Sequence, residues 1–472
     1  MGLFSCRSRR SSSSQDAPQA VSLETHLNNI KNAIESENSE KLCDLIKEGN
    51  ISDINSLFSQ FNNKTMLQLA CEKGSIHCVK VLLQNGADLK AGGNTGILTS
   101  VCISCNIESL NYLFGCGLEL TDSSIFATLH NIPTSGDRSE IIAALLSHIK
   151  DVNYHDKTAS FLQLLSGIGC SRSIRYLLER GADRNAANDN CKGALDIAAS
   201  RGPFEAVKVL IDYEIGDKIP ISKLDDALFE SCVSGHLEVV NFLIERGANV
   251  NSCNTEGVQV IAYAVDYNKA DVVELLLKQG ASAHATAMYK DSEPISLLFY
   301  ACVYGYEAVV RVLLVHGADP NAIGPRGYTP LYFTRDSLVL MDLLIRHGAD
   351  PNQTSPKGGT VFLNAVKRVC LGRIGTELVV WLLNHGADIN LPNIRSGNTA
   401  LMIAAASGHV DLVKLLLEHR ADVTQLNHAG KGVLDRLDQN GGWSWKIRKM
   451  RKLCKQYIEL NRPPPYEEIT LK

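Results

Sequence analysis

Apolar positions along the chain come in paired short blocks, and the pairing recurs. In residues 410–417, Val410, Leu412, Val413, Leu415, Leu416 and Leu417 fall on one wide arc at helical spacing. So broad an arc suits a helix covered by neighbours on more than one side. Ala404 and Ala405 precede it in a first helix whose short side chains allow close approach. The whole stretch, "GNTALMIAAASGHVDLVKLLLEHRADV" (397–423), has counterparts in "NKTMLQLACEKGSIHCVKVLLQNGADL" (63–89) and "LDDALFESCVSGHLEVVNFLIERGANV" (224–250). Residues 296–321 and 327–352 repeat the frame.

A glycine after each second helix sets the phase, at Gly86, Gly117, Gly181, Gly247, Gly280, Gly317, Gly348 and Gly386. Neighbouring intervals are 31, 33, 37, 31 and 38 residues, and the gaps of 64 and 66 each contain one missed unit. A helix commonly ends on a residue with positive φ, which glycine adopts without steric cost. Ile149, Glu214 and Arg420 replace the glycine. Isoleucine at positive φ would be strained, so the turn near 149 is expected to be rearranged.

The frame resembles the ankyrin repeat, a turn and two antiparallel helices with a period of about 33 residues. The resemblance implies an all-α solenoid of helix–turn–helix units with projecting β-turn loops. We divide the chain into a disordered N-terminus (1–21), N-terminal capping helices (22–62), repeats (63–428), a C-terminal capping repeat with a basic helix (429–460) and a disordered tail (461–472). The repeats number about eleven and are irregular near 123–222. Insertions near 283–293 and 365–375 are expected to form exposed loops that could contact a partner or simply drift.

Both ends read as caps. Leu27, Ile30 and Ile34 share one face opposite charge, as a terminal repeat requires for solubility. Near the C-terminus, Ile447, Met450, Leu453, Cys454 and Tyr457 form a stripe amid Lys446, Arg448, Lys449, Arg451, Lys452 and Lys455. That segment reads as a charged cap, a membrane-facing or nuclear-targeting patch, or a degenerate SOCS-box helix. The last resemblance, carried by Met450, Cys454 and Ile458, implies a substrate receptor of a cullin ubiquitin ligase.

Composition narrows the function. A net charge of −4 over 472 residues does not suit a protein built globally for nucleic acid. No apolar run approaches the roughly 18 residues that span a bilayer. The 14 cysteines include a single CxxC pair, Cys102 with Cys105, and no second pair at zinc-ribbon distance. No metalloprotease, phosphate-loop or nucleophile-elbow pattern occurs. His316, His347, His385 and His419 stand beside the helix-ending turns, a place the resemblance makes structural. Asp88, Asp319, Asp350, Asp388 and Asp422 follow those turns, where a short acceptor can bond nearby N–H groups. The expectation is therefore a protein without active site, metal or cofactor. It would bind a protein partner on the concave surface of the array, through turn tips at 91–96, 252–257, 322–327, 353–358 and 391–398.

The two ends add recognition chemistry. "MGLFSC" resembles an N-myristoylation signal at Gly2, with Cys6 where the strict pattern has Ser or Thr. One acyl chain binds membranes marginally, and a palmitoyl group on Cys6 or the cations Arg7, Arg9 and Arg10 would supply the second signal. Pro463, Pro464 and Tyr466 satisfy the PPxY pattern read by WW domains, whose aromatic grooves accept a polyproline II helix. That resemblance implies a WW-domain partner such as a HECT-type ubiquitin ligase. The expected location is cytoplasmic, peripheral at the cytoplasmic face of a membrane. The alternatives are the cullin receptor and a plain soluble scaffold.

Overall fold

First helices start where the sequence offers a cap. Thr65, Ser160, Thr360 and Thr399 lie in extended backbone, and each hydroxyl accepts from the N–H three residues on. This satisfies one of the donors that every helix start leaves open. Thr65 with Gln68 and Ser160 with Gln163 form reciprocal capping boxes. The computed structural model describes residues 23–48, 54–57, 63–132, 138–213, 219–287, 294–324, 327–334, 337–438 and 445–460. Within them are 25 α-helices and one two-stranded antiparallel pairing, Thr286–Ala287 with Ile295–Ser296. The fold is all-α, as the repeat frame implies.

Second helices end as the glycine phase predicts. All eight phase-setting glycines have positive φ, between 85° and 101°. At Gly86 the turn closes with its N–H on the Leu83 carbonyl (3.2 Å) and the Ala87 N–H on that of Leu82 (3.0 Å). First helices use the same device at Gly74, Gly169, Gly235 and Gly305, and accept Cys105 and Asn268 at φ 54° and 55°.

The glycine replacements divide. Arg420 keeps the left-handed turn at φ 65°, with its N–H on Leu417 (2.9 Å) and the Ala421 N–H on Leu416 (3.0 Å). Ile149 leaves it. The side chain is buried, and its φ is not in the left-handed region. The Lys150 and Asp151 N–H groups turn instead to the Asp122 carboxylate, at 2.9 and 3.0 Å. Burying a β-branched side chain has replaced the tight turn, and a carboxylate from an earlier helix takes up the freed donors. Glu214 lies outside the described residues.

Two compact units follow from the contacts: residues 1–198 with 203–218, and residues 199–202 with 219–472. In the first, the helices Leu23–Glu35, Met66–Lys73, Asn94–Ser104, Asp122–Asn131 and Phe161–Ile168 pack in sequence as one layer. Ser39–Glu48, Ile76–Gln84, Ile107–Gly115, Ser139–Leu146, Ser171–Glu179 and Phe204–Asp212 form the other. The second unit repeats this layering from Ile221–Ser234 to Trp445–Leu460. Leu27, Ile30 and Ile34 are buried, as their shared face predicts. So are Ile447, Met450 and Cys454 of the last helix, whereas Leu453 and Tyr457 are half-buried.

Asparagines four residues past the turn-phase position tie neighbouring repeats together. The Asn321 side chain accepts from the Asp350 N–H (2.9 Å) and donates to the Gly348 carbonyl (2.8 Å). Asn352 does the same to Asp388 (2.7 Å) and Gly386 (2.9 Å). Asn153 reaches Asp183 (2.8 Å) in the first unit.

The insertions differ from the expected loops. That at 283–293 stands on the two-stranded pairing, with 288–293 outside the described residues. That at 365–375 is half helical, because Val361–Cys370 runs 10 residues before an exposed turn at Leu371–Gly372. An amphipathic sequence with no proline simply continued the helix. The stretch 327–352 departs the other way, with a 3-10 turn, Pro330–Phe333, in place of its first helix.

Two substitutions at the same phase should act with opposite sign. Arg420→Gly should raise stability by up to about 1 kcal/mol, because glycine carries no Cβ into the left-handed region. Ile149→Gly should lower it by roughly 2–5 kcal/mol through loss of a buried side chain. Urea titration followed by circular dichroism reads both, and a shared sign would refute the assignment of the two turns.

Candidate functional site

The turn tips are braced by their own polar residues. Asp88, Asp319, Asp350, Asp388 and Asp422 each accept from the N–H two residues on, at 2.7–2.9 Å. This is the local role that their position predicts. His347, His385 and His419 bond through Nδ1 to the carbonyl four residues back, at 2.9, 2.7 and 2.9 Å. Each imidazole satisfies a helix-end carbonyl, and His316 stands at the same helix end. These histidines are structural.

Successive tips in the second unit also join edge to edge. The Ile394 N–H donates to the Gly358 carbonyl (2.8 Å), and the His428 N–H to that of Ser396 (3.3 Å). Buried Asn393 fixes the tip at 391–398 by accepting from Arg395 (3.0 Å) and Ser396 (3.1 Å) and donating to Lys357 (3.1 Å). A rigid tip then presents Ile394 at 58% exposure, and the tip at 322–324 presents Ile323 at 70%. The tip at 252–257 exposes Cys253, Thr255, Glu256 and Gly257 over buried Ser252. At 353–358 Ser355 is buried, with Pro356 and Lys357 outward. The stretch 91–96 departs from the expectation, because a helix starts at Asn94 and only 91–93 form the turn. Residues 325–326 lie outside the described residues.

Three further side chains matter to these tips. Gln68 donates to the Gly92 carbonyl (3.2 Å), and Gln163 donates to those of Ala186 and Lys192 (both 3.0 Å). The Tyr332 hydroxyl lies 2.7 and 2.8 Å from the Gly359 and Thr360 carbonyls. Each reaches from the start of a first helix into the next repeat's turn. The Thr-x-x-Gln and Ser-x-x-Gln boxes were the sequence signal for the two glutamines.

An aromatic cluster on the first helices of the second unit escaped the sequence reading. Tyr267 is 52% exposed, and Tyr304 and Phe333 are each 37% exposed. Tyr304 lies against Tyr300 and Tyr306, with ring centroids 4.6 and 5.7 Å away. The Tyr300 hydroxyl donates to the Asp266 carboxylate, and that of Tyr306 to the Asp266 carbonyl (3.2 Å). Burial and then the Asp266 carboxylate push the Tyr300 phenol far up, so it remains a donor. The available signal was a tyrosine before the helix-ending residue in two consecutive repeats, where the preceding repeat has Ser234.

In the first unit a cleft of about 460 Å³ lies between the loop at 152–160 with the start of the helix Phe161–Ile168 and the loop at 183–189, lined by Asn153, His155, Asp156, Lys157 and Asp189 among others. Its charges are mixed and its walls are loop residues, so it offers a polar contact surface. Among the described residues no group of three or more His, Cys, Asp or Glu is arranged to hold a metal, and no helix is long and apolar enough to cross a membrane. Cys102 is buried and Cys105 exposed, and both thiols are free. Gly2, Cys6, Pro463, Pro464 and Tyr466 lie outside the described residues.

Comparison with known proteins agrees with the repeat geometry. A family model described as ankyrin repeats (3 copies) matches residues 30–124, 195–287 and 334–427. A many-copy ankyrin model matches 169–211, and a single-repeat model 295–325. The ankyrin repeat and KH domain-containing protein mask-1 of Caenorhabditis elegans is 30% identical over 45% of this chain and 7% of its own length. The putative palmitoyltransferase ZDHHC13 of Danio rerio is 28% identical over 43% of this chain and 31% of its own. The E3 ubiquitin-protein ligase KEG of Arabidopsis thaliana is 29% identical over 53% and 16%. The chain thus spans less than a third of each of these relatives. Among solved structures, the ankyrin repeat domain of Bcl-3 is 25% identical, with a TM-score of 0.40 over 48% of this chain and 97% of that one.

The thiols provide a check on the packing. Burial pushes Cys71 and Cys102 up to about 12 and Cys454 to about 11, and raises Cys232 and Cys302 as well. At pH 8 a thiolate-directed reagent should label the exposed Cys105, Cys116, Cys191 and Cys253 in native protein. The buried five should react only after unfolding, as read by peptide mass spectrometry.

Proposed function

Because the chain belongs to the ankyrin-repeat family, we propose that it is a non-enzymatic adaptor whose array holds a protein partner. The matched models are interaction repeats, and no catalytic family is among them. The carrying observation is the apolar surface left open on rigid backbone: Tyr267 and Tyr304 at the ends of first helices, Phe333 at the end of the 3-10 turn, Ile323 and Ile394 on the tips. Aromatic residues on a preorganised scaffold contribute large contact area at low entropic cost. Tyrosine is among the residue types that dominate interface energetics.

The two chain ends complete the reading. Gly2 carries a myristoyl chain, and Cys6 or the adjacent arginines add the second membrane signal. Pro463, Pro464 and Tyr466 engage a WW-domain protein, for example a HECT-type ubiquitin ligase. The adaptor then works in the cytoplasm at a membrane face. The cullin-receptor alternative would need Met450 and Cys454 to meet an outside partner, yet both are fully buried in this fold.

Each part has its own test. Gly2→Ala should move the protein from the membrane to the soluble fraction of cells. Tyr466→Ala should abolish pull-down by isolated WW domains. A Tyr267→Ala, Tyr304→Ala double variant should lose proximity-labelled partners that a chain truncated before Pro463 retains. If all three changes leave localisation, pull-down and labelling intact, the adaptor reading fails and a bare scaffold remains.

A further inference from the structure

The outward face of the last helix, Trp445–Leu460, has no counterpart elsewhere in the second unit. Ile447, Met450 and Cys454 pack inward on the helices Val410–Glu418 and Val433–Asp438. At 100° per residue, Trp445, Arg448, Lys449, Lys452 and Lys455 then fall together on the opposite arc, with Gln456 and the single carboxylate Glu459 at its C-terminal end. Lys449, Lys452 and Lys455 are exposed, and Trp445 is 64% exposed. The Lys449 ammonium stands 5.9 Å from the centre of the Trp445 ring.

Four other helices of this unit pair charges internally. Glu274 pairs with Lys278, Glu307 with Arg311, Asp342 with Arg346 and Lys414 with Glu418, one turn apart in each case. Lys449, Lys452 and Lys455 form no ion pair among the described residues. No acidic residue stands in the first turn of their helix, although that is where the helix dipole favours one. A cap needs the apolar stripe and a polar outer face, but that face does not need an excess of one sign. Cations spaced three residues apart along one arc repel one another, so they add nothing to folding. Their charge is available to an external anionic surface.

We propose that this face, Trp445 with Lys449, Lys452 and Lys455, docks on a bilayer bearing anionic lipid headgroups. The charge is complementary, and each cation near such a surface strengthens the contact. The indole on the same arc selects a membrane over a nucleic acid, because tryptophan partitions to the headgroup level. The row is one straight helix face about 15 Å long, suited to a flat contact. It requires no acyl chain, so it stands or falls independently of Gly2.

The test uses the full chain carrying Gly2→Ala in every arm, sedimented with phosphatidylcholine vesicles with and without phosphatidylserine. Binding should require phosphatidylserine and weaken with salt. The Lys449→Gln, Lys452→Gln, Lys455→Gln variant should lose roughly 10- to 100-fold in partitioning while unfolding at the parent temperature. Trp445→Ala should lose several-fold and abolish the vesicle-induced blue shift of tryptophan fluorescence. Unchanged partitioning of the triple variant overturns the proposal. So does displacement from the vesicles by a short RNA duplex that binds wild type but not the triple variant.

Discussion

A helix of eight or nine residues cannot sustain itself in water, and a pair of them cannot bury its own apolar arc. Isolated helices shorter than about 12–15 residues are marginal, so each pair here takes its stability from the pairs on either side. That constraint sets the composition of every layer. Side chains between neighbours are aliphatic and fully buried, as at Leu82, Leu113, Leu243, Leu313 and Leu416. Most charge lies on outer arcs and tips, and the buried Asp196 accepts from the Gly193 N–H at its helix start.

Stacking alone would leave the loops loose, and polar side chains prevent this. Each Asn-to-turn bridge fixes the next repeat's loop with one donor and one acceptor, as Asn321 and Asn352 do. Gln68, Gln163 and Tyr332 reach the same loops from below. The tips are therefore rigid although they make few packing contacts of their own. Rigidity at a site of free sequence choice is what a recognition surface needs, because binding then orders little further backbone. The tyrosines around Asp266 and the open aliphatics Ile323 and Ile394 use that freedom.

Much of the fold was legible because its signals are local. A helix end needs a left-handed residue wherever it occurs, so the glycine phase located second-helix ends without knowledge of neighbours. The histidines and aspartates beside those ends act within four residues, and their structural role was legible for the same reason. Long-range consequences were not. Ile149 and Arg420 occupy one phase in the sequence, yet one is buried and the other exposed. At 149 the Asp122 carboxylate, from 28 residues away, takes the Lys150 N–H, whereas at 420 the corresponding Ala421 N–H stays on the Leu416 carbonyl of its own helix. The insertion at 365–375 likewise read as a loop, but its amphipathic residues found a neighbour to pack on and stayed helical to Cys370.

By itself, then, the sequence determined the repeat, most helix ends and the apolar stripes of the caps, since each depends on residues close together along the chain. Only the tertiary structure decided which side chains remain open. Nothing in the repeat pattern marked Tyr267 and Tyr304, and only the fold shows that they remain uncovered, 52% and 37% exposed. The basic helix at 445–460 read from sequence as a charged cap or a membrane-facing or nuclear-targeting patch. Only the packed structure shows that Lys449, Lys452 and Lys455 stay exposed without an ion pair among the described residues. Exposure is a property of what packs alongside, and in a stacked array that neighbour lies about 30 residues away.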